Sequence, residues 1–260
     1  MRADVFLTEN RYVPSRRRAQ ELILEGNVVI DGRLITKPAT PIGEGEHDVR
    51  VTETLAYVGR GGCKLEAALD RFGISAGGLV ALDIGASTGG FTDCLLSRGA
   101  ARVYAVDSGS DQLAQKLRDD PRVICREHLN ARTLTREDLC GETVDLIVMD
   151  VSFISATLIL PVFDTLLPEG GQAICLIKPQ FEVGRSMIGK GGVVKDPAAH
   201  RYAIERVVQA AELCGLTPVQ IMPSPIRGGD GNREFLIHLS KNKTEKTLTQ
   251  GDLIACLREI

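Results

Sequence analysis

Six short apolar runs, spread over the chain from residue 79 onward, constrain the fold more than any other feature of the sequence. They alternate with stretches whose apolar residues recur at helical spacing, such as GFTDCLLSRGA, SATLILPVFDTLL and AAHRYAIERVVQAAELCG. This alternation predicts an α/β fold in which parallel strands form one doubly wound sheet between helices. The runs occupy residues 79–84, 103–106, 145–149, 173–177, 219–222 and 235–239.

The composition bounds the class of protein. A chain of 260 residues with 43% hydrophobic residues can bury a core, and its net charge of −3 argues against a surface that binds nucleic acid everywhere. The seven cysteines include no C-x-x-C pair and no histidine at metal spacing. No stretch resembles a signal peptide or reaches 18 apolar residues. We therefore expect a cytoplasmic protein with no membrane span and no metal; its oligomeric state stays open.

Residues 1 to about 52 have a different pattern. A short helix carries apolar residues at helical spacing, ends at Gly26, and precedes a VVIDGRLI hairpin whose Asp-Gly pair favours a tight turn. Three basic residues open this helix: Arg16, Arg17 and Arg18. A charge run of this kind is more often a solvated face than a binding site.

The stretch SRRRAQELILEGNVVIDG, followed by ITKP, resembles an S4 domain, a small RNA-binding module. The resemblance implies that Arg16 and Lys37 face RNA phosphates, where they supply affinity without reading the base sequence. The further candidates for RNA contact are Arg17, Arg18 and Arg60.

The stretch LVALDIGASTGGFTDCLL predicts a strand, a glycine-rich turn and the start of a helix. A dinucleotide fingerprint needs glycine at the position of Ser87, so NAD is disfavoured. The loop resembles that of S-adenosylmethionine-dependent methyltransferases, although any strand-to-helix turn can contain glycines. The candidate donor-binding residues in this stretch are Asp83, Gly85, Ser87, Gly89 and Gly90.

Three residues beyond this stretch complete the predicted donor site. Asp107 ends the next strand, VYAVD, where a carboxylate can accept hydrogen bonds from both ribose hydroxyls. Asn130, in HLNAR, is a candidate for the adenine edge, and an ordinary loop role is equally compatible. Asp150 is a further candidate contact.

The stretch GRSMIGKG, residues 184–191, contains the G-x-x-x-x-G-K part of a P-loop. Gly191 stands where a P-loop needs Ser or Thr, and the stretch neither follows a strand directly nor precedes a helix. A basic loop facing the substrate is the better interpretation.

Four ionisable residues are predicted to meet at one edge of the sheet. Asp150 and Lys178 end parallel strands, and Pro179 favours extended backbone at Lys178. Glu234 precedes a last strand that is antiparallel in methyltransferase sheets, so it starts at the same edge. Lys64 opens a helix that runs antiparallel to the first strand, so the helix also starts there.

The stretches GRGGCKL, LDIGASTGGFTD, MDVSFIS, IKPQFE and GNREFL, behind an S4-like segment, resemble the TlyA family. These are haemolysin A-like ribosomal RNA 2'-O-methyltransferases with an FtsJ-type catalytic domain, and the resemblance runs nearly end to end. In that family a Lys-Asp-Lys-Glu tetrad acts on a ribose 2'-hydroxyl. The residues that match it are Lys64, Asp150, Lys178 and Glu234.

The resemblance implies S-adenosylmethionine as cofactor, a cytidine of ribosomal RNA as target, and ribosomal RNA or a ribosomal subunit as partner. It also implies a Rossmann-like sheet with an antiparallel last strand, preceded by a small α+β domain. The expected division is an S4-like domain at 1–52, a linker at 53–62 and an FtsJ-like methyltransferase domain at 63–260.

Several alternatives stay open. Family members methylate large-subunit RNA, and a second, small-subunit target goes with longer termini. The short stretch before the S4 helix and the longer C-terminal KTLTQGDLIACLREI give a mixed pattern. Lys178 is either a general base or a group that only positions the hydroxyl. A membrane-active haemolysin and a non-catalytic ribosome assembly factor are the alternative functions.

Overall fold

The computed structural model describes residues 1–13, 15–24, 26–52, 57–242 and 247–259. The chain divides into two compact units, Met1–Leu55 and Ala56–Ile260. The expected linker at 53–62 falls partly outside the described residues, and a helix of the second unit, Gly61–Phe72, begins within its last part.

The first unit packs two helices against a three-stranded sheet. Its elements are α1 (Ala3–Glu9), α2 (Arg16–Leu24), β1 (Val28–Ile30), β2 (Arg33–Leu34) and β3 (Val49–Val51), with strand order β2-β1-β3. The core joins Leu7 of α1, Leu22 and Ile23 of α2, and Val28 of β1. α2 buries the apolar face that its spacing predicts and leaves its basic start exposed.

The predicted hairpin turn is confirmed. β1 and β2 pair antiparallel, with Ile30 opposite Arg33. Asp31 and Gly32 both have positive φ, 51° and 73°. Two successive residues of this kind form the type I′ turn whose twist matches the flanking strands, which explains the Asp-Gly pair.

The second unit is a seven-stranded sheet with helices on both faces, and its elements follow in chain order. They are α3 (Gly61–Phe72), β4 (Val80–Ile84), α4 (Gly90–Ser97), β5 (Arg102–Val106), α5 (Gln115–Arg118), β6 (Val123–Arg126), β7 (Leu146–Met149), α6 (Leu160–Leu166), β8 (Gln172–Ile177), α7 (Pro179–Glu182), α8 (Pro197–Leu213), β9 (Thr217–Pro223), β10 (Phe235–Ser240) and α9 (Gln250–Arg258).

The sheet has strand order β6-β5-β4-β7-β8-β10-β9. β10 is antiparallel to both neighbours, and the pairs among β4 to β8 are parallel. The predicted Rossmann-like sheet with an antiparallel last strand is therefore confirmed. β6 was not among the six apolar runs, because this edge strand is only half-buried and so needs no continuous apolar sequence.

Each face of the sheet has its own core. One core contains Tyr104, Phe163 and Phe235, and the other contains Leu65, Leu69 and Leu95. Alternate residues of a strand point to opposite faces of the sheet. Since both faces are covered by a core, the central strands are apolar at nearly every position.

Two features are absent from the part of the chain that the structure describes. No helix there is long and apolar enough to cross a membrane. No group of three or more His, Cys, Asp or Glu side chains there could hold a metal ion.

Replacing Leu22 with Ala should unfold the first unit, whereas replacing Leu24 with Ala should not. Leu22 is fully buried and Leu24 is 70% exposed on the same helix. A buried Leu-to-Ala change costs about 2–5 kcal/mol, which is most of the stability of a domain this small. Hydrogen exchange of the β1–β3 amides in the full chain measures the effect. Equal protection in the two variants would contradict this core assignment.

Candidate active site

Lys178 lies at the carboxyl end of β8, where the sequence predicts it. Its backbone is extended, with φ −109° and ψ 101°, and Pro179 begins α7. The Lys178 ammonium lies 2.6 Å from Asp150 Oδ1, just beyond β7. Lys178 Nζ also donates a hydrogen bond to Ser152 Oγ, at 2.8 Å. The proline thus fixes the backbone, and two contacts to the neighbouring loop fix the amine.

Lys64 and Glu234 form the second ion pair of this edge. Lys64 Nζ donates to Glu234 Oε2 at 2.5 Å, and both side chains are buried, with 9% and 3% exposed. A Cβ at Gly228 would overlap Glu234 Oε1, so a larger residue in the loop before β10 would have to displace this carboxylate. A buried ion pair of this kind is stable only while both partners are present.

The two ion pairs lie close together. Phe235 pairs with Ile177 in the antiparallel register, so the next residues outward, Glu234 and Lys178, are on neighbouring strands at the same edge. A Cβ at Gly61, in the first turn of α3, would be 3.9 Å from Asp150 Oδ2. The structure therefore brings all four predicted residues to one edge; their catalytic roles stay a prediction.

The glycine loop after β4 bends sharply beneath the end of β7. Gly85, Ser87 and Gly89 have φ of 83°, 47° and 97°. A Cβ at Gly85 would lie 2.6 Å from the carbonyl oxygen of Asp150, and one at Gly89 would overlap Leu117. At Gly85 the neighbouring backbone excludes a side chain, and at Gly89 the φ of 97° strains any residue but glycine.

Asp107 orders the glycine loop. Its two carboxylate oxygens accept from Ser87 N–H and Gly109 N–H, each at 2.8 Å. Each carboxylate oxygen has a further lone pair, so the side chain can also accept from a ribose diol. The close backbone turn and this half-buried acid fit the adenosine part of S-adenosylmethionine.

Asp83 is the only fully buried carboxylate among the predicted donor-site residues. Its Oδ2 accepts from Thr92 Oγ1 at 2.7 Å, and its Oδ1 has no protein partner. Burial, with a smaller contribution from the charges of Asp150 and Asp107, raises the pKa of Asp83 to about 7. Thr92 opposes this shift by donating to the carboxylate.

Two predicted residues lie at the edge of the site. The exposed Asn130 accepts from Arg132 N–H at 3.0 Å and so begins the 3₁₀ turn Ala131–Thr133. Its predicted adenine contact stays a prediction. Arg60 directly precedes α3, one turn before Lys64.

The basic residues of the first unit differ in their surroundings. Arg16 is 55% exposed and lies 2.9 Å from the fully buried Asp4. A hydrogen bond from Arg2, together with those from Gln20 and Arg16, lowers the pKa of Asp4. Lys37 is exposed in the segment after β2. Arg17 is exposed and Arg18 half-buried in the first turn of α2.

Three further residues that contact this edge were not predicted from the sequence. Ser152 binds Lys178, as described. Phe153 has φ 64° and is 93% exposed, and its ring centroid is 5.4 Å from that of Phe181. Glu182, 1% exposed, accepts hydrogen bonds from the loop that follows Asp150. The only feature of the sequence that could have indicated these residues is that they lie within the family-like stretches MDVSFIS and IKPQFE.

Comparisons with known proteins follow this division of the chain. Residues 57–241 match the FtsJ-like methyltransferase family, and residues 1–48 match the S4 domain. The 16S/23S rRNA (cytidine-2'-O)-methyltransferase TlyA of Mycobacterium tuberculosis is 43% identical over 95% of this chain and 92% of its own length. The 23S rRNA (cytidine-2'-O)-methyltransferase TlyA of Campylobacter jejuni is 33% identical over 93% of this chain and 100% of its own length.

A solved structure is similar over the whole chain. It is a candidate hemolysin from Streptococcus thermophilus, with a TM-score of 0.80, 39% identity, and coverage of 100% of this chain and 94% of that one. These matches confirm the predicted resemblance to the TlyA family.

The free energy of unfolding should fall less steeply between pH 4 and pH 7 when Asp83 is replaced with Asn. The folded-state pKa of Asp83 lies above its value of 3.8 in the unfolded chain. The folded protein therefore binds the proton more tightly, and stability falls as pH rises through this window. The wild type should lose up to about 1.4 kcal/mol per pH unit more than the variant. Urea unfolding at several pH values measures this difference.

Asp70→Asn is the matched control. Asp70 is hydrogen-bonded to Arg98, which lowers its pKa, so its titration falls below this window. Parallel pH profiles for the wild type and Asp83→Asn would contradict the raised pKa of Asp83.

Proposed function

Because this chain belongs to the FtsJ-like methyltransferase family, we propose that it methylates the 2'-hydroxyl of a cytidine in ribosomal RNA of the large subunit. The observation that carries the proposal is the meeting of the pairs Lys178–Asp150 and Lys64–Glu234 beside the glycine loop. The two TlyA relatives support the substrate, since the names of both include 23S rRNA and cytidine-2'-O.

The methyl donor of this enzyme is S-adenosylmethionine, which supplies an activated methyl group when bound. Gly85 and Gly89 allow the loop to turn without side chains in the way. Asp107 accepts the ribose hydroxyls while it continues to hold the backbone of Ser87 and Gly109. Asp83 and Asn130 complete the proposed donor site.

Lys178 is the proposed general base. A ribose hydroxyl becomes a strong nucleophile only as its proton is removed, and a fixed amine can accept that proton as the oxygen–methyl bond forms. The contacts to Asp150 and Ser152 hold the amine at the end of β8. Only a neutral amine can accept this proton.

Lys64 and Glu234 hold α3 in position. Glu234 holds Lys64 in a buried contact, so the start of this helix is fixed against the start of β10. The second ammonium group near the hydroxyl then favours transfer of the proton away from the ribose.

The first unit is proposed to hold the RNA substrate. Arg16 and Lys37 supply phosphate contacts, together with Arg17 and Arg18. Arg60, in the proposed linker directly before α3, is a further contact. In this division, residues 1–52 bind RNA, 53–62 link the domains and 63–260 catalyse methyl transfer.

Replacing Lys178 with Arg should abolish most methyl transfer. Arginine keeps the charge but cannot accept a proton near neutral pH, so kcat should fall about 100- to 10,000-fold. The wild-type rate should rise with pH. Single-turnover transfer to large-subunit RNA, with the product nucleotide mapped by mass spectrometry, measures both effects.

Lys241→Arg is the control for this substitution. Lys241 is also half-buried, but it donates to Leu167 O at the opposite edge of the sheet. A wild-type product other than a 2'-O-methylcytidine of large-subunit RNA would overturn the proposed target. A pH-independent wild-type rate, with the Lys178→Arg enzyme only mildly impaired, would leave Lys178 as a positioning residue.

Replacing Lys37 with Gln should weaken RNA binding and flatten its salt dependence. Each lost phosphate contact removes about 0.7 from the log–log slope for single-stranded RNA. Filter binding across salt concentrations measures the slope, and donor binding should be unchanged. Arg201→Gln, at an exposed residue of α8 paired with Glu205, is the control. Equal slopes for Lys37→Gln and the wild type would contradict the assigned RNA contact.

A further inference from the structure

Glu182 is a buried carboxylate that the proposed chemistry does not use. It ends α7, the single turn that begins directly after Lys178, and only 1% of it is exposed. Its Oε2 accepts from Ser155 Oγ at 2.5 Å and its Oε1 from Ala156 N–H at 2.7 Å. Both partners lie in the loop that leaves β7 after Asp150.

The loop after β7 and the segment from Lys178 through α7 contact each other at three places, from the surface inward. Outermost, the ring of Phe153 contacts that of Phe181. At the sheet edge, Lys178 contacts Asp150 and Ser152. Innermost are the two hydrogen bonds to Glu182. Of these contacts, only those of Glu182 are buried hydrogen bonds, so they are the ones that water competes with least.

We propose that Glu182 is a positioning residue that holds the Asp150–Ser155 loop against the β8–α7 turn, and thereby sets the position of Lys178 relative to Asp150. The inference rests on the proposed function, because it concerns the amine that acts on the ribose hydroxyl. A displacement of about 1 Å at a reacting group can cost about 100-fold in rate, so a fixed distance between these segments matters for catalysis.

A purely local role for Glu182 explains less of the structure. The 3₁₀ turn Ala156–Leu158 already has a cap, since Ser155 Oγ accepts from Thr157 N–H at 3.2 Å. Glu182 instead binds the capping residue itself. Burial raises the pKa of Glu182, and the donors Ser155 and Ala156 oppose that shift. A buried carboxylate is costly to keep, and an apolar residue could fill the same space.

The helix α8 also contacts the backbone at Glu182. Arg206, on the long helix α8, donates a hydrogen bond to the backbone carbonyl of Glu182. The neighbouring Val183 packs with Ala199 and Ala203 of the same helix. The carboxylate is therefore attached to a rigid support, which a residue that positions others requires.

The test compares Glu182→Ala with Glu182→Gln. Glutamine keeps an acceptor for Ala156 N–H, and Ser155 can rotate its hydroxyl to accept from the new amide, so the contact survives. We expect kcat within about threefold of the wild type for Gln and about 100-fold lower for Ala, with RNA KM and donor Kd nearly unchanged. A Gln variant as impaired as the Ala variant would overturn the inference.

Two controls separate position from stability. Val144→Ala removes buried volume just before β7, at the opposite end of the strand from Asp150, and should lower the melting temperature while leaving kcat nearly unchanged. Hydrogen exchange over residues 151–157 should increase in Glu182→Ala and not in Val144→Ala. If Glu182→Ala does not fold, Ser155→Ala provides the same comparison, with an expected loss of about tenfold in kcat.

A double-variant cycle tests the route of the effect. If Glu182 acts through Lys178, Glu182→Ala should lower the residual rate of Lys178→Ala by less than about threefold. An undiminished 100-fold loss in that background would overturn the inference. A wild-type enzyme that transfers no methyl group to ribosomal RNA would instead overturn the proposed function, and the exchange measurement would still report on the loop.

Discussion

The buried ion pair between Lys64 and Glu234 is the interaction on which the candidate site depends. It joins α3, the first helix of the second unit, to β10, the strand that enters the sheet last. Since either charge would be costly to bury alone, the pair holds the two elements together. Gly228 leaves room for this carboxylate, and the register of β10 then places Glu234 beside Lys178.

The glycine loop and the sheet edge that holds the four candidate catalytic residues are packed against each other. Gly85 lies so close to the carbonyl of Asp150 that a side chain would not fit, and Asp107 holds the backbone of Ser87 from the other side. The proposed donor loop and the proposed catalytic residues therefore share the end of β7. A change at either place moves the other, because close-packed interiors transmit displacement.

Much of the fold could be predicted from local sequence. Extended backbone at Lys178 follows from the next proline, and the β1–β2 turn follows from Asp31 and Gly32. The central strands follow from their apolar runs. The half-buried β6 escaped the list of runs because an edge strand needs no continuous apolar sequence. Among the site residues, Glu182 and Ser152 were missed because their contacts join segments that are 26 or more residues apart.

The sequence by itself determined the alternation of central strands and helices along the chain, the glycines of the candidate donor loop and the residue types at strand ends, since each follows from short-range sterics or periodicity. The tertiary structure decided which charges pair. Lys178 binds Asp150 and Lys64 binds Glu234 because the sheet places β7, β8 and β10 side by side. Strand order is a property of the whole packed sheet, and only packing brings together charges that lie up to 170 residues apart.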